Sequence, residues 1–141
     1  MTEAMENFIY DIPTKVYFGK GQLNQLADIV QVYGQRVLLV YGGGSIQRNG
    51  IYDAAVAQLK KAGKKYTELS GVEPNPSIHT VEKGVMLCQR EQIDMLVAIG
   101  GGSAIDCAKV ISAAACSTRR PWELVTHPEE IQRALPVIAI L

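Results

Sequence analysis

Two stretches of the chain carry the same short pattern of glycine and serine. Each follows an apolar run of five residues, 37–41 or 95–99, and consists of three glycines and a serine ahead of a segment with helical spacing. This arrangement is typical of a strand, a tight turn and the N-terminus of a helix. Backbone N–H groups in such a turn can approach an anion closely, and the helix dipole favours negative charge there. Two such turns in one sheet indicate a ligand with more than one phosphate group, such as a dinucleotide.

The glycines and serines of these two turns are therefore the candidate ligand contacts. They are Gly42, Gly43, Gly44 and Ser45 in the first turn and Gly100, Gly101, Gly102 and Ser103 in the second. Neither turn fits the dinucleotide fingerprint G-x-G-x-x-G, because its sixth position is Gln47 in one and Ile105 in the other. The alternative for each copy is a flexible turn that binds no ligand. The occurrence of the same pattern twice, at matching strand ends, argues against this alternative.

Strands and helices must alternate along the chain to position these turns. Continuous apolar runs predict two strands that are covered on both faces, and shorter β-rich runs predict two more. The predicted strands are residues 36–41, 65–69, 94–99 and 136–141. Apolar residues recur at helical spacing between the strands. The predicted helices are residues 23–33, 51–62, 78–88 and 104–115, with Ser77 as the N-cap of the third and a less regular helical stretch from Pro121.

This alternation predicts a doubly wound, mainly parallel, Rossmann-like α/β sheet with helices on both faces. A β-like segment at residues 8–18, strongest at 16–18, predicts an additional N-terminal strand or hairpin. Ligands of such sheets bind outside the carboxyl ends of the strands, where the strand order reverses. Both glycine turns follow strand ends, so we expect them to meet at one site.

Composition excludes several classes of partner. The chain has 141 residues with 14 basic and 14 acidic side chains, so its formal net charge of zero gives no reason to expect nucleic acid or an anionic membrane. No apolar stretch reaches the ~20 residues that a membrane-spanning helix needs. The three cysteines form no CxxC pair, which predicts free thiols and a reducing compartment. We therefore expect a soluble, cytoplasmic protein.

The end of the chain predicts a truncated domain. Residues 137–141 are apolar and strand-like, whereas domains normally end in polar, exposed linkers. We therefore expect residues 1–141 to be one N-terminal domain that is cut short at its C-terminal end.

Four motifs resemble, in order, those of the iron-containing alcohol dehydrogenase family. Residues 100–109 resemble its G-G-G-S-x-x-D-x-A/T-K stretch, residues 18–21 its F-G-x-G and residues 73–76 its E-P-N-P loop. Residues 40–45 are similar to the butanol-dehydrogenase-like branch. The motifs cover the chain from about residue 8 to its end, and four in register are far more specific than one.

The resemblance implies a dinucleotide-binding domain followed by an all-helical C-terminal domain that is absent from this chain. It places the cofactor pyrophosphate against the turn at residues 100–103. Asp106, one turn into the following helix, is a further candidate cofactor contact: it either bonds the backbone on the nicotinamide side or caps its own turn, the local role being favoured. The catalytic metal, iron or zinc, would be held by one Asp and three His of the absent domain. The resemblance thus predicts no catalytic residue and no metal ligand here, and no activity for this chain alone.

The first turn bears on the choice of cofactor. A carboxylate after an early strand usually receives the ribose 2′-OH of NAD, and many relatives carry an Asp near Gly42. This strand end has no acid. The N–H groups of Gly43 and Gly44, the Ser45 hydroxyl and Arg48 could instead meet a 2′-phosphate. We therefore expect NADP(H) in preference to NAD(H), the alternative being that the glycines permit either.

The whole enzyme would transfer a hydride between the nicotinamide and a primary alcohol or aldehyde. One alternative is a glycerol-dehydrogenase-like or dehydroquinate-synthase-like enzyme on the same scaffold. Another is a non-catalytic module that binds a nucleotide or phosphosugar and is complete at this length. An edge strand such as residues 11–18 could pair across a homodimer.

Overall fold

The computed structural model describes residues 14–43 and 49–141. In these residues four strands form one parallel sheet in the order β2-β1-β3-β4. The strands are β1 (Arg36–Tyr41), β2 (Lys65–Leu69), β3 (Met95–Ile99) and β4 (Val137–Ile140). The predicted doubly wound parallel sheet is confirmed.

The helices of the described residues connect the strands and lie on both faces of the sheet. They are α1 (Leu26–Tyr33), α2 (Ile51–Lys61), α3 (Ile78–Arg90), α4 (Gly102–Ala114) and α5 (Pro121–Thr126), with 3-10 turns at Gln22–Gln25 and Pro128–Glu130. The four regular helices lie within three residues of their predicted bounds, the largest difference being the start of α1, where residues 22–25 form a 3-10 turn. Nowhere in residues 14–43 and 49–141 is a helix both long enough and apolar enough to cross a membrane.

Strand β1 separates the two apolar layers of the domain. Its alternate residues Val37, Leu39 and Tyr41 pack against α1 and α2 on one face. Leu38 and Val40 belong to the layer beneath α3 and α4 on the other face. Successive side chains of a strand point to opposite faces, so a strand covered on both sides must be apolar throughout. This is why the continuous apolar run of the sequence predicted β1 correctly.

A carboxylate ties the sheet together at the end opposite the glycine turns. Asp94, just before β3, accepts hydrogen bonds from the backbone N–H of Gln35 at 3.0 Å and of Arg36 at 2.9 Å. A Cβ atom on Gly34 would collide with this carboxylate, so glycine is needed at position 34 for the close approach. The starts of β1 and β3 are thereby fixed side by side.

The predicted N-terminal strand does not form over the residues that can be described. Residues 14–18 have no strand pairing there, and the side chains of Val16 and Phe18 are 71% and 93% exposed. A β-like composition favours a strand only where a partner and a surface to cover are available. This part of the prediction is therefore wrong for residues 14–18, and residues 8–13 lie outside the described residues.

Candidate functional site

An open cleft lies between the carboxyl ends of β1 and β3. The connection from β1 leads to β2 on one side, and the next leads to β3 on the other, so the strand order reverses between β1 and β3. The cleft has a volume of about 230 Å³. It is lined by Gly42, Gly43, Val72, Pro74, Ile99, Gly100, Gly101, Gly102, Ser103 and Ala104. The two glycine turns therefore meet at the reversal point, where sheets of this kind bind their ligands.

The second glycine turn is held by its first residue. Gly100 has a φ of +127°, a conformation that favours glycine, and its N–H donates to the carbonyl of Ile140 at the end of β4. Gly101 is the N-cap of α4, with a φ of −89° and a ψ of −165°. A glycine has no side chain to cap the helix, and the first N–H groups of a helix have no partner within it. The start of α4 therefore presents donors to the cleft.

The free space at each glycine Cβ position shows which glycines the packing of the fold requires. A Cβ atom on Gly101 or Gly102 would meet no atom within 4 Å, and one on Gly43 would meet none of the described residues. At Gly42 a Cβ atom would lie 3.2 Å from the carbonyl oxygen of Val72. The fold would accept alanine at positions 101 and 102, where the sequence has glycine facing an open cleft.

The segment after β2 forms the third wall of the cleft. The N–H of Gly71 donates to the carbonyl of Gly42 at 3.0 Å, and the N–H of Val72 donates to that of Tyr41 at 3.1 Å. The backbone after β2 thus follows the end of β1 and brings Val72 and Pro74 to the cleft.

Glu73 anchors this wall to helix α3. Its carboxylate accepts from the N–H of Ser77 at 3.0 Å and from the hydroxyl of Thr80 at 2.8 Å. These bonds, the one from Ser77 first, lower the pKa of Glu73 below its usual value. Ser77 in turn accepts from the N–H of Thr80 at 3.2 Å, which confirms it as the N-cap. The sequence pointed to this loop only through the E-P-N-P motif, and Val72 and Pro74 were not among the predicted contacts.

The predicted site residues are placed as follows. Gly42, Gly43, Gly100, Gly101, Gly102 and Ser103 line the cleft together. Gly44 and Ser45 lie outside the described residues, as does Arg48. Asp106 is exposed on α4 and does not line the cleft.

The described residues offer no metal centre. No group of three or more His, Cys, Asp or Glu side chains lies together in residues 14–43 and 49–141. His79 is exposed on α3, and exposed His127 contacts only the Glu129 carboxylate, at 3.3 Å, among these side chains. An iron or zinc ion does not fit these residues, and no chemistry through a metal follows from them.

The strand order and the cleft define a doubly wound α/β domain with an open cleft at its reversal point. The chain belongs to the iron-containing alcohol dehydrogenase family, whose sequence profile matches residues 13–141. The resemblance deduced from the four motifs is confirmed. Family membership supports the dehydrogenase interpretation among the alternatives that the sequence left open.

Several relatives are similar along nearly the whole chain. It is 53% identical over 137 residues to the NADH-dependent butanol dehydrogenase B of Clostridium acetobutylicum, covering 97% of this chain and 35% of that protein. It is 37% identical over 140 residues to the NADPH-dependent aldehyde reductase YqhD of Escherichia coli, with 97% and 35% covered. The crystal structure of NADH-dependent butanol dehydrogenase A from Thermotoga maritima superposes with a TM-score of 0.89 at 38% identity, covering 97% of this chain and 35% of that one. The chain therefore spans about 35% of the length of these relatives.

Proposed function

We propose that the cleft between the two glycine turns binds a nicotinamide dinucleotide, in a protein that is an NAD(P)-dependent, metal-dependent alcohol dehydrogenase or aldehyde reductase. The observation that carries this proposal is the open space at Gly101 and Gly102, where the fold would accept a side chain and the sequence has none. A glycine that the backbone conformation does not require still allows the backbone to approach a ligand closely. The names of the relatives supply the cofactor class and the substrates, small alcohols or aldehydes.

The residues of this chain would bind and orient the cofactor. The first N–H groups of α4 and the hydroxyl of Ser103 would bind the pyrophosphate, since a helix N-terminus favours negative charge. The turn that begins at Gly42 and Gly43, with the predicted contacts Gly44 and Ser45, would receive the adenosine end. Val72 and Pro74 would cover one side of it. The bound nicotinamide would supply the hydride chemistry, while the protein fixes its orientation.

A direct test of the cleft replaces the two unconstrained glycines. Gly101→Ala and Gly102→Ala should each raise the Kd of NADPH by at least about 10-fold, or ~1.4 kcal/mol, because a methyl group would occupy the approach to the pyrophosphate. The melting temperature should not change, because neither methyl group meets a protein atom within 4 Å. Cofactor fluorescence and thermal unfolding measure the two quantities.

The matched control is Lys61→Ala, at the exposed C-terminal end of α2 and the opposite end of the sheet. It should bind NADPH like the unsubstituted protein. If both glycine variants bind NADPH with unchanged affinity, the pyrophosphate does not lie against this turn.

We further propose that the protein prefers NADPH to NADH. The described part of the first turn, Gly42 and Gly43, carries no carboxylate that would repel a 2′-phosphate or receive a 2′-OH. The relatives include both NADH-dependent and NADPH-dependent enzymes, so their names favour neither cofactor. Titration with both cofactors is decisive, and a lower Kd for NADH would contradict the preference.

We also propose that the 141-residue chain has no dehydrogenase activity by itself. Its described residues hold no metal site, and the resemblance implies that the metal ligands, one Asp and three His, lie in a helical domain outside residues 1–141. Measurable oxidation of NADPH by the purified chain with a small aldehyde would contradict this.

A homodimer and a cytoplasmic location are the remaining proposals. Val16, Tyr17 and Phe18 are exposed, and an apolar surface of this kind favours an interface with a second copy. A monomer in light scattering of the full protein would overturn the dimer. The three free cysteines support a reducing compartment, and localisation of the tagged full protein tests it.

A further inference from the structure

Two tyrosines and a glutamate form a hydrogen-bonded cluster behind the first glycine turn. The carboxylate of Glu68, on β2, accepts at Oε1 from the hydroxyl of Tyr41 and at Oε2 from the hydroxyl of Tyr52 at 2.7 Å. Each oxygen of the carboxylate therefore has its own phenol donor.

The two rings also pack against each other. Their centroids are 5.3 Å apart with an angle of 60° between the planes, and Tyr41 is only 5% exposed. Burial and the contact with Glu68 raise the pKa of Tyr41 to about 12. The hydrogen bond to Glu68 and burial raise the pKa of Tyr52 as well. Both phenols therefore stay protonated at neutral pH and remain donors to the carboxylate.

The two tyrosines of the cluster flank the connection between β1 and α2. Tyr41 is the last residue of β1 and directly precedes Gly42. Tyr52 is the second residue of α2, the helix whose N-cap is Gly50. Everything between them belongs to the connection that starts with the first glycine turn. Glu68 comes from a third element, β2, which pairs with β1 in the sheet. One carboxylate thus binds both ends of this connection to the sheet.

Backbone hydrogen bonds also hold the end of β1 against the segment after β2. The carbonyls of Tyr41 and Gly42 accept from the N–H groups of Val72 and Gly71, which continue the chain from β2. The end of β1 is therefore held on its backbone by the segment after β2 and on its side chain by Glu68. Glu68 is half-buried and accepts from one phenol at each oxygen, so losing either tyrosine hydroxyl removes one hydrogen bond to a charged group.

We propose that Glu68 is a positioning residue for the adenosine end of the cofactor, which it aligns by holding Tyr41, directly before Gly42 and Gly43 of the cleft, together with Tyr52 at the start of α2. This rests on the proposed function, because the first turn is assigned to the adenosine end there. Glu68 does not line the cleft. Its effect on binding passes through the two tyrosines.

The test uses the full-length protein with NADPH and with ADP-ribose, which carries the adenosine and the pyrophosphate but neither the 2′-phosphate nor the nicotinamide. Glu68→Gln and Tyr52→Phe should each raise the KM of NADPH and the Kd of ADP-ribose by about 5-fold, less than a directly lost contact would cost, because the effect reaches the cofactor only through the positions of the tyrosines. The kcat at saturating NADPH should stay unchanged, because the nicotinamide end is untouched. The double variant should be no worse than the more impaired single variant, since both substitutions weaken the same hydrogen-bonded cluster.

The matched control is Tyr66→Phe. Tyr66 is on β2, two residues before Glu68, and packs against the same apolar layer, but among the described hydrogen bonds its hydroxyl does not reach Glu68. It should leave KM, Kd and kcat as they are. Equal effects of Tyr66→Phe and Tyr52→Phe, or a fall in kcat with an unchanged KM, would overturn the positioning role and leave only a contribution to stability.

The outcomes separate this inference from the proposed function. If the unsubstituted protein binds ADP-ribose and NADPH and all the variants bind them equally well, the positioning role alone is wrong. If the unsubstituted protein binds neither, the proposed function fails and the inference fails with it. If Glu68→Gln does not fold, Tyr52→Phe decides the question, because it removes a single oxygen atom at the edge of the cluster.

Discussion

The three glycines of the second turn stand in one run but differ in physical role. The backbone conformation at position 100 requires glycine, because its φ of +127° is costly for any residue with a Cβ atom. Gly101 and Gly102 have no such need, and their Cβ positions face open space. The sequence predicted the run as a whole. It could not separate the roles, because backbone angles and the space around a residue depend on the neighbouring strand and helix.

The cysteines allow a prediction of reactivity at the same scale. Cys88 and Cys107 are 4% and 2% exposed, and burial raises their pKa to about 12 and about 11. Both therefore remain thiols at pH 8, and the thiolate is the reactive form. We expect iodoacetamide at pH 8 to alkylate Cys116, which is half-buried, well before the other two.

Peptide mass spectrometry over a time course measures the three rates. Unfolding in urea should make them similar, which serves as the control for intrinsic reactivity. Faster alkylation of Cys88 than of Cys116 in the folded protein would contradict the buried position of Cys88.

The elements were predictable where burial and local pattern agree. Strand β1 is apolar from Val37 to Tyr41 because both of its faces are covered, and helix α3 begins after Ser77 because a serine hydroxyl can accept from the N–H of Thr80. Residues 16–18 have equally β-like side chains, but they lie exposed and unpaired in the described part of the chain. Composition indicates what a segment can do, whereas the presence of a partner decides whether it does so.

The cap of α3 gives a prediction of pH dependence. The folded-state pKa of Glu73 lies below its usual value, so its contribution to stability is present above pH 4.5 and is lost as the pH falls through the folded-state pKa. Glu73→Gln should therefore lower the free energy of unfolding at pH 7 and change it less at pH 3.5. Urea unfolding at the two pH values measures this difference.

Glu82→Gln is the matched control, since Glu82 is an exposed carboxylate on the same helix. It should have little effect at either pH, as is usual for surface substitutions. An effect of Glu73→Gln that is equal at both pH values would mean that the charge of Glu73 contributes nothing to the cap.

The meeting of the two turns belongs to the whole molecule. The sequence predicted that both follow strand ends, and the strand order β2-β1-β3-β4 makes those strands neighbours. That order could not be predicted from the chain alone, because each strand is joined to the next by a helix that can cross to either side. The contribution of Val72 and Pro74 to the cleft was missed for the same reason, since it depends on β2 lying beside β1.

Binding at this cleft should stabilise the whole domain by mass action. NADPH at 100 times its Kd should raise the free energy of unfolding by ~2.7 kcal/mol, provided that it binds only the folded state. Adenosine, which has no phosphate for the N–H groups of α4, should stabilise the protein much less at equal concentration. Thermal unfolding of the full protein with each compound measures the difference. Equal stabilisation by both would show that the phosphates contribute little to binding.

The parallel pairing of β1 with β3 also determines when the cleft can form during synthesis of the chain. The hydrogen bond from Arg36 to Asp94 joins residues that are 58 positions apart, and Val37 pairs with Met95 in the same region of the sheet. Contacts so distant in sequence form late, because the whole intervening segment must first leave the ribosome. The emerging β1 therefore carries its glycine turn without a counterpart while α2, β2 and α3 are being made. On the proposed function, a dinucleotide would bind between the two turns and stabilise the nascent chain only after Ser103 has emerged.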